Sequence, residues 1–302
     1  KYPVVFEYAG QKIATVHITA NGGEAIENDI IYGSVSGKKS DEDGNALGGA
    51  VIGIFKTGTE KFTTENAIQT TVTAADGSFS FEKVPYGTWI IREIESPTGF
   101  VLSEEEITVA IGAVDEVVEI ELVNYFIKGN IELTKVDKDY PDNKLTGAEF
   151  EVYADTNGDG KLDSGDKLLG TMTELDGGVY QMKELRYGKY LVREKTAPTG
   201  FELDENVYSV SIEENGKTYI VENEAGVGFV NAAQKGSLKI VKTSSDGKIE
   251  GFSFRVTGAD GYDQTFKTDK NGEIYIEGLR IGEYTVSEVS DSVSAGYILP
   301  AD

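Results

Sequence analysis

Short runs in which apolar and polar residues alternate, broken by Gly, Asp and Asn turns, follow one another along the whole chain. Phe79–Phe81, Thr88–Ile94, Ile107–Ile111 and Val117–Val123 are examples, and helical periodicity is nearly absent. Alternate residues of a strand share a face. Many short strands at regular spacing therefore predict an all-β fold of tandem sandwich domains arranged as a rod. Landmarks recur three times. Gly33, Gly129 and Gly236 each open a unit six residues before a lysine: Lys39, Lys135 and Lys242. Leu47–Val51, Leu145–Glu149 and Ile249–Ser253 read as the second strand, and Val84–Trp89, Leu185–Tyr190 and Leu279–Tyr284 as a turn and the strand after it. Ser96–Phe100, Ala197–Phe201 and a degenerate Val293–Tyr297 mark the next corner.

Charged residues sit in phase with apolar ones at matching points of each unit. Lys135 continues Ile131 and Leu133, Lys242 continues Leu238 and Ile240, and Lys39 follows Val35 and Gly37. Glu93 follows Trp89 and Ile91, Glu194 follows Tyr190 and Val192, and Glu288 follows Tyr284 and Val286. Asn124 closes Ile120 and Leu122, and Asn231 closes Val227 and Phe229. A lone buried charge costs several kcal/mol or shifts its pKa until it is neutral. A lysine, a carboxyl and an asparagine buried together can react to form a Lys–Asn amide. In that reaction a neutral amine is the nucleophile, and a protonated carboxyl donates to the asparagine oxygen and polarises its carbon. A plain buried Lys–Glu ion pair with a hydrogen-bonded Asn stands beside this reading.

The chain has 302 residues, a formal charge of −24, no cysteine and one histidine, His17. The charge argues against nucleic acid and anionic membrane as partners. Without cysteine, an exported protein must draw its stability from something other than disulfides. A Ser-His-Asp triad is not available in any complete unit, and paired carboxylates occur without a cleft signature, so an enzyme is not expected. No apolar run is long enough to span a bilayer, and no signal peptide or initiator Met is present, which suggests a processed or excised piece. Residues 155–166 fit a twelve-position calcium loop. Asp155, Asn157, Asp159, Asp163 and Asp166 bring oxygen side chains, Lys161 a backbone carbonyl, and Gly160 the sharp turn. Its flanks read as strands, so one Ca²⁺ is expected in an EF-hand-like loop between strands, against a solvated acidic turn.

Asn124 and Asn231 lie five residues before the next opening glycine, and Asn28, with Ile26 two before it, lies five before Gly33. The third unit reaches Asp302 without an asparagine of its own. The spacing Gly200, Tyr208, Gly216 is repeated by Gly296, Tyr2 and Gly10 when Asp302 is read on into Lys1. Four segments are expected: 1–29, the last strands of a domain acting as a donor; 30–126; 127–233, with the calcium loop; and 234–302, lacking its last strands. Either a neighbouring copy, head to tail, completes the third domain, with Lys242 bonded to Asn28 and Glu288 as proton donor, or the chain is one period of a longer tandem protein.

This pattern resembles the Cna B-type, prealbumin-like domains of Gram-positive surface adhesins and pilins. The features that carry the resemblance are Gly129 to Lys135, Gly147-Ala148-Glu149-Phe150, Gly188 to Glu194 with Ala197–Phe201, and Phe229 to Asn231. The first unit departs at Gly37 and the adjacent Lys38, and the third at Ser292–Ala295. The resemblance implies spontaneous isopeptide bonds, Lys39–Asn124 and Lys135–Asn231, assisted by Glu93 and Glu194, in an extracellular stalk or pilus-like fibre on a bacterial cell surface. The alternative is a module that grips host matrix protein or glycan. Host matrix contact through other domains is a further expected partner, and membrane insertion is not.

Overall fold

The computed structural model describes residues 28–222 and 228–299. The chain divides after Phe126 into two compact units, and the second unit holds two hydrophobic cores. Apart from one short 3₁₀ turn at Ala259–Gly261, the regular structure of the described residues is strand.

The first unit contains β1 (Tyr32–Asp41), β2 (Val51–Lys56), β3 (Gln69–Val72), β4 (Ser78–Pro85), β5 (Gly87–Glu95), β6 (Ile107–Ile111) and β7 (Val117–Asn124). They form two sheets, β4-β1-β7 and β3-β2-β5-β6. β1 runs antiparallel to β4 and parallel to β7, so the first and last strands of the domain lie side by side. Val35, Ile52, Ile54, Phe81, Ile91 and Leu122 fill the space between the sheets, each worth about 1.5–3 kcal/mol of burial. Gly37 breaks the apolar alternation of β1 because the Phe79 ring lies over it; a Cβ there would stand 2.4 Å from Phe79 Cζ. Lys38 points outward to Asp76, which leaves Lys39 as the inward lysine.

The second-strand expectation is corrected by a few residues. β2 and its counterparts start only at the last residue of each expected segment: Val51, Glu149 and Ser253. Gly49, Gly147 and Gly251, with φ of 89°, 81° and 84°, turn the chain into the strand from a left-handed conformation that favours glycine.

The second unit begins with β8 (Lys128–Asp137), β9 (Glu149–Ala154), β10 (Lys167–Thr171), β11 (Thr173–Glu174), β12 (Val179–Arg186), β13 (Gly188–Thr196), β14 (Val207–Ile212), β15 (Thr218–Val221) and β16 (Phe229–Asn231). Its sheets are β11-β12-β8-β15, with β16 also on β8, and β10-β9-β13-β14. β15 and β16 together do the work of β7, but Val221 pairs with Leu133 and Phe229 with Lys135. Thr134 alone separates those pairings on β8, while residues 222–228 separate them on the other side.

The third domain has β17 (Lys235–Val241), β18 (Ser253–Gly258), β19 (Tyr262–Lys267), β20 (Glu273–Arg280) and β21 (Tyr284–Glu288). β17 pairs with β20, and β19-β18-β21 form the other sheet. Among the described residues nothing corresponds to β6 or β7, so one edge of β17 and one of β21 carry no partner strand.

Arg280, at the end of β20, reaches out of this domain into the preceding one. Its guanidinium makes a bidentate pair with Asp137, at 2.5 and 2.8 Å, and a further bond to Asp139 at 2.9 Å. It also stacks 4.7 Å from the Tyr140 ring centre. The Asp137 side chain is 3% exposed. The bonds from Arg280 hold its carboxyl below the usual aspartate range, against the opposing effect of burial.

Candidate functional site

In the first domain β1, β5 and β7 bring Lys39, Glu93 and Asn124 together in the core. Lys39 Nζ lies 3.2 Å from Glu93 Oε1, and both side chains are fully buried. Asn124 Nδ2 donates to both carboxylate oxygens, at 2.9 and 3.0 Å. In the second domain β8, β13 and β16 repeat the arrangement. Lys135 Nζ lies 3.2 Å from Glu194 Oε1, again with both side chains fully buried. Asn231 Nδ2 donates to both Glu194 oxygens at 2.9 Å. Lys135 Nζ also donates to Asn231 Oδ1, and Lys39 Nζ and Asn124 Oδ1 are buried without a hydrogen-bond partner.

The electrostatics favour a reactive amine. Burial pulls Lys39 below the ordinary lysine range, and Glu93 opposes the shift. Burial brings Lys135 down to about 8, opposed by Glu194. The Phe229 ring lies 4.5 Å beneath the Lys135 ammonium and closes one side of the pocket.

The expected contact between the carboxyl and the asparagine oxygen is not present. In both sites the amide turns its NH₂, not its oxygen, toward the carboxyl group. The glutamate therefore stands beside the nitrogen that leaves in amide exchange.

Two sets of positioning groups were not visible in the strand alternation. The main chain of each lysine is pinned by a turn glycine: Lys39, Lys135 and Lys242 each donate at 2.8 Å to the carbonyl of Gly77, Gly178 and Gly272. Each complete site also holds its glutamate by a loop N–H. Ser103 N donates to Glu93 Oε2 at 2.7 Å and Asp204 N to Glu194 Oε2 at 2.8 Å. The position four residues after the corner glycine, Gly99 or Gly200, is the sequence signal for this donor.

The third site is half built. Lys242 Nζ lies 2.8 Å from Glu288 Oε2, with side chains 14% and 3% exposed. Glu288 Oε1 is buried without a partner. Asn28 is exposed. The Tyr2–Gly10 register, Ile26, His17 and Val227 lie outside the described residues.

The 155–166 loop is flanked by β9 and β10, as strands. Its acidic residues cap the loop's own backbone: Asp155 accepts from Gly158 N at 2.7 Å and Gly160 N at 3.0 Å, Asp159 from Lys161 N at 2.8 Å, and Asp166 from Thr156 N at 3.1 Å. Asn157 Nδ2 donates to Asp163 at 3.0 Å. Among the described residues no three carboxylates converge as a metal cluster. The donor set is nonetheless all oxygen, and each carboxylate keeps lone pairs beyond these bonds.

Among solved structures the chain is similar to the Bacillus anthracis TIE protein, at 27% identity and a TM-score of 0.71, over 90% of this chain and 47% of that one. The chain thus spans about half the length of that protein. It also matches BcpA, the major pilin subunit of Bacillus cereus, at 14% identity and a TM-score of 0.41, over 85% of this chain and 87% of that one. A Streptococcal ancillary pilin matches at 22% identity and a TM-score of 0.31, over 72% and 69% of the two chains. No curated protein sequence matches. The model of the SpaA prealbumin-like fold domain matches three times, at residues 33–125, 129–225 and 236–302. With three matches spread over most of its length, the chain belongs to the family of SpaA prealbumin-like fold domains.

Proposed function

We propose that the chain is a structural stalk segment of a Gram-positive surface fibre, whose first two domains are locked by self-formed amides, Lys39–Asn124 and Lys135–Asn231. The observation that carries this is the same buried Lys-Glu-Asn geometry in two separate cores. In each, Lys Nζ in its neutral form attacks Asn Cγ. The new N–C bond replaces the Cγ–Nδ2 bond, and the glutamate passes the amine proton to Nδ2, which leaves as ammonia. The reaction happens once per site, so the chain is not an enzyme. Its place is the extracellular side of the bacterial surface, its partners are neighbouring copies of itself head to tail, and host matrix contact is left to other domains.

Because β1 and β7 are adjacent, an amide between Lys39 and Asn124 carries tension from the first strand of a domain directly to its last. Single-molecule stretching of residues 1–302 is the test. The first two domains should give no unfolding extension, and two such extensions should appear when Glu93→Ala and Glu194→Ala are combined. Full extension of both domains in the unaltered protein would refute the reading.

A Ca²⁺ in the 155–166 loop is part of the same proposal, with Asp155, Asn157, Asp159, Asp163, Asp166 and the Lys161 carbonyl as ligands. The carboxylates trade bonds to the loop backbone for the ion, which stiffens the loop without altering the fold. Titration of chelator-treated protein should show one site, absent when Asp155→Ala and Asp159→Ala are combined. Neither heat nor a change in Tm on adding Ca²⁺ would remove the metal from the proposal.

A further inference from the structure

We propose that Tyr208 is a positioning residue for amide formation in the second domain: through the Asp204 carboxylate it fixes the loop whose N–H holds Glu194 in place. The inference rests on the Lys135–Asn231 chemistry proposed above.

Strand register puts Tyr208 next to the site. β13 and β14 pair Val192 with Tyr208, and Glu194 lies two residues beyond Val192 on the same face. The matching pair in the first domain is Ile91 and Ile107. Tyr208 and Ile107 both stand eight residues after the corner glycine, Gly200 or Gly99. A position that isoleucine fills in one domain thus carries a half-buried phenol in the other. A hydroxyl taken from water costs free energy unless it finds a partner.

The partner is Asp204. The Tyr208 hydroxyl donates to Asp204 Oδ2 at 2.8 Å. The other oxygen, Asp204 Oδ1, accepts from Asn206 N at 3.0 Å and from Asn206 Nδ2 at 2.6 Å. The carboxylate is therefore fixed on both sides, by the loop itself and by β14. The main-chain N–H of the same residue donates to Glu194 Oε2 at 2.8 Å. Burial, and then the bond to Asp204, hold the Tyr208 phenol well above the ordinary tyrosine range, so it stays a donor through neutral and mildly alkaline pH.

Tyr208 also braces the pocket from within. Its ring lies 4.5 Å from the Phe229 ring, and Phe229 is the ring beneath the Lys135 ammonium. One side chain thus supports both the floor under the nucleophile and the loop behind the glutamate. Both Glu194 oxygens accept from Asn231 Nδ2, so a shift of the Asp204 loop moves the carboxyl against the amide it faces. The first domain is built without this support. Ser103 gives its N–H to Glu93, and its Oγ accepts only from Glu105 N, at 3.4 Å. Ile107 has no polar atom to offer it.

The test follows amide formation in time. Residues 1–302 are held in urea, where neither site is assembled, and then diluted to start folding. Peptide masses after digestion give ammonia loss separately at Lys39–Asn124 and at Lys135–Asn231. Tyr208→Phe should slow the second site about 10- to 100-fold, the scale on which a misplaced reacting group acts, and leave the first site unaffected. Asp204→Ala removes the acceptor and leaves the Tyr208 ring; it should also slow the second site, and adding Tyr208→Phe to it should slow that site no further. Asp204→Asn keeps an acceptor for Tyr208 and should keep the limiting rate at high pH. Burial lowers the Lys135 pKa while the charges of Glu194 and Asp204 raise it. Without the Asp204 charge, the rise of rate with pH should move to lower pH, which loss of packing alone would not produce. An unaltered second-site rate in Tyr208→Phe overturns the proposal and leaves the amides standing. Equal slowing of both sites also overturns it, as a general folding defect. If Tyr208→Phe does not fold, an unaltered limiting rate in Asp204→Ala overturns it instead. No ammonia loss at either site of the unaltered chain removes the amide reading and this inference together.

Discussion

Intact mass of the folded monomer is expected to fall short of the sequence mass by two molecules of ammonia. Glu194→Ala should restore one of them and leave the other, because the two sites lie in separate cores. The same variant should lose about 4–5 kcal/mol of stability in the second domain, the worth of a cross-link that closes a loop from residue 135 to residue 231. Asn231→Ala separates the causes: it also abolishes the bond but keeps Lys135 paired with Glu194. If that variant is as stable as the unaltered protein, the amide contributes nothing. A full sequence mass in well-folded protein would remove the amide altogether.

Arg280→Ala should uncouple the third domain from the second. It strands the Asp137 carboxylate, 3% exposed, without its bidentate partner. Removing one member of a buried pair costs about 3 kcal/mol at the joint. Scattering or residual dipolar couplings should then show the two domains tumbling independently, each still folded. The joint should also weaken in acid. Asp137 has a folded-state pKa below its unfolded value, so its contribution is full above the unfolded carboxylate range and is lost as pH falls through the folded pKa. Unchanged domain coupling in Arg280→Ala would show that the linker alone holds the joint.

The strand face of every triad residue was legible because alternation has a period of two. Ile131, Leu133 and Lys135 share a face in the sequence pattern and are all fully buried in the fold. The positions of the corner loops were legible from Gly-Phe pairs, but their role was not. Ser103 and Asp204 act through backbone N–H groups, which side-chain identity does not reveal. The Arg280–Asp137 pair was missed for a related reason. Both residues sit at strand ends, where alternation carries no information about which face meets another domain. The interruption between β15 and β16 escaped because residues 222–228 repeat the Gly, Glu and Asn composition of ordinary turns here.

The parallel neighbours β1 and β7 have a consequence for severing the chain. With both amides in place, residues 39–124 and 135–231 are closed covalent rings. A protease that cuts any loop within a ring opens the circle but leaves the two ends attached. Between the two rings the stretch from Asn124 to Lys135 is a single covalent strand, and from Lys128 onward it is held in β8. The target for cleavage between these domains therefore shrinks to Tyr125, Phe126 and Ile127, of which Tyr125 is 63% exposed.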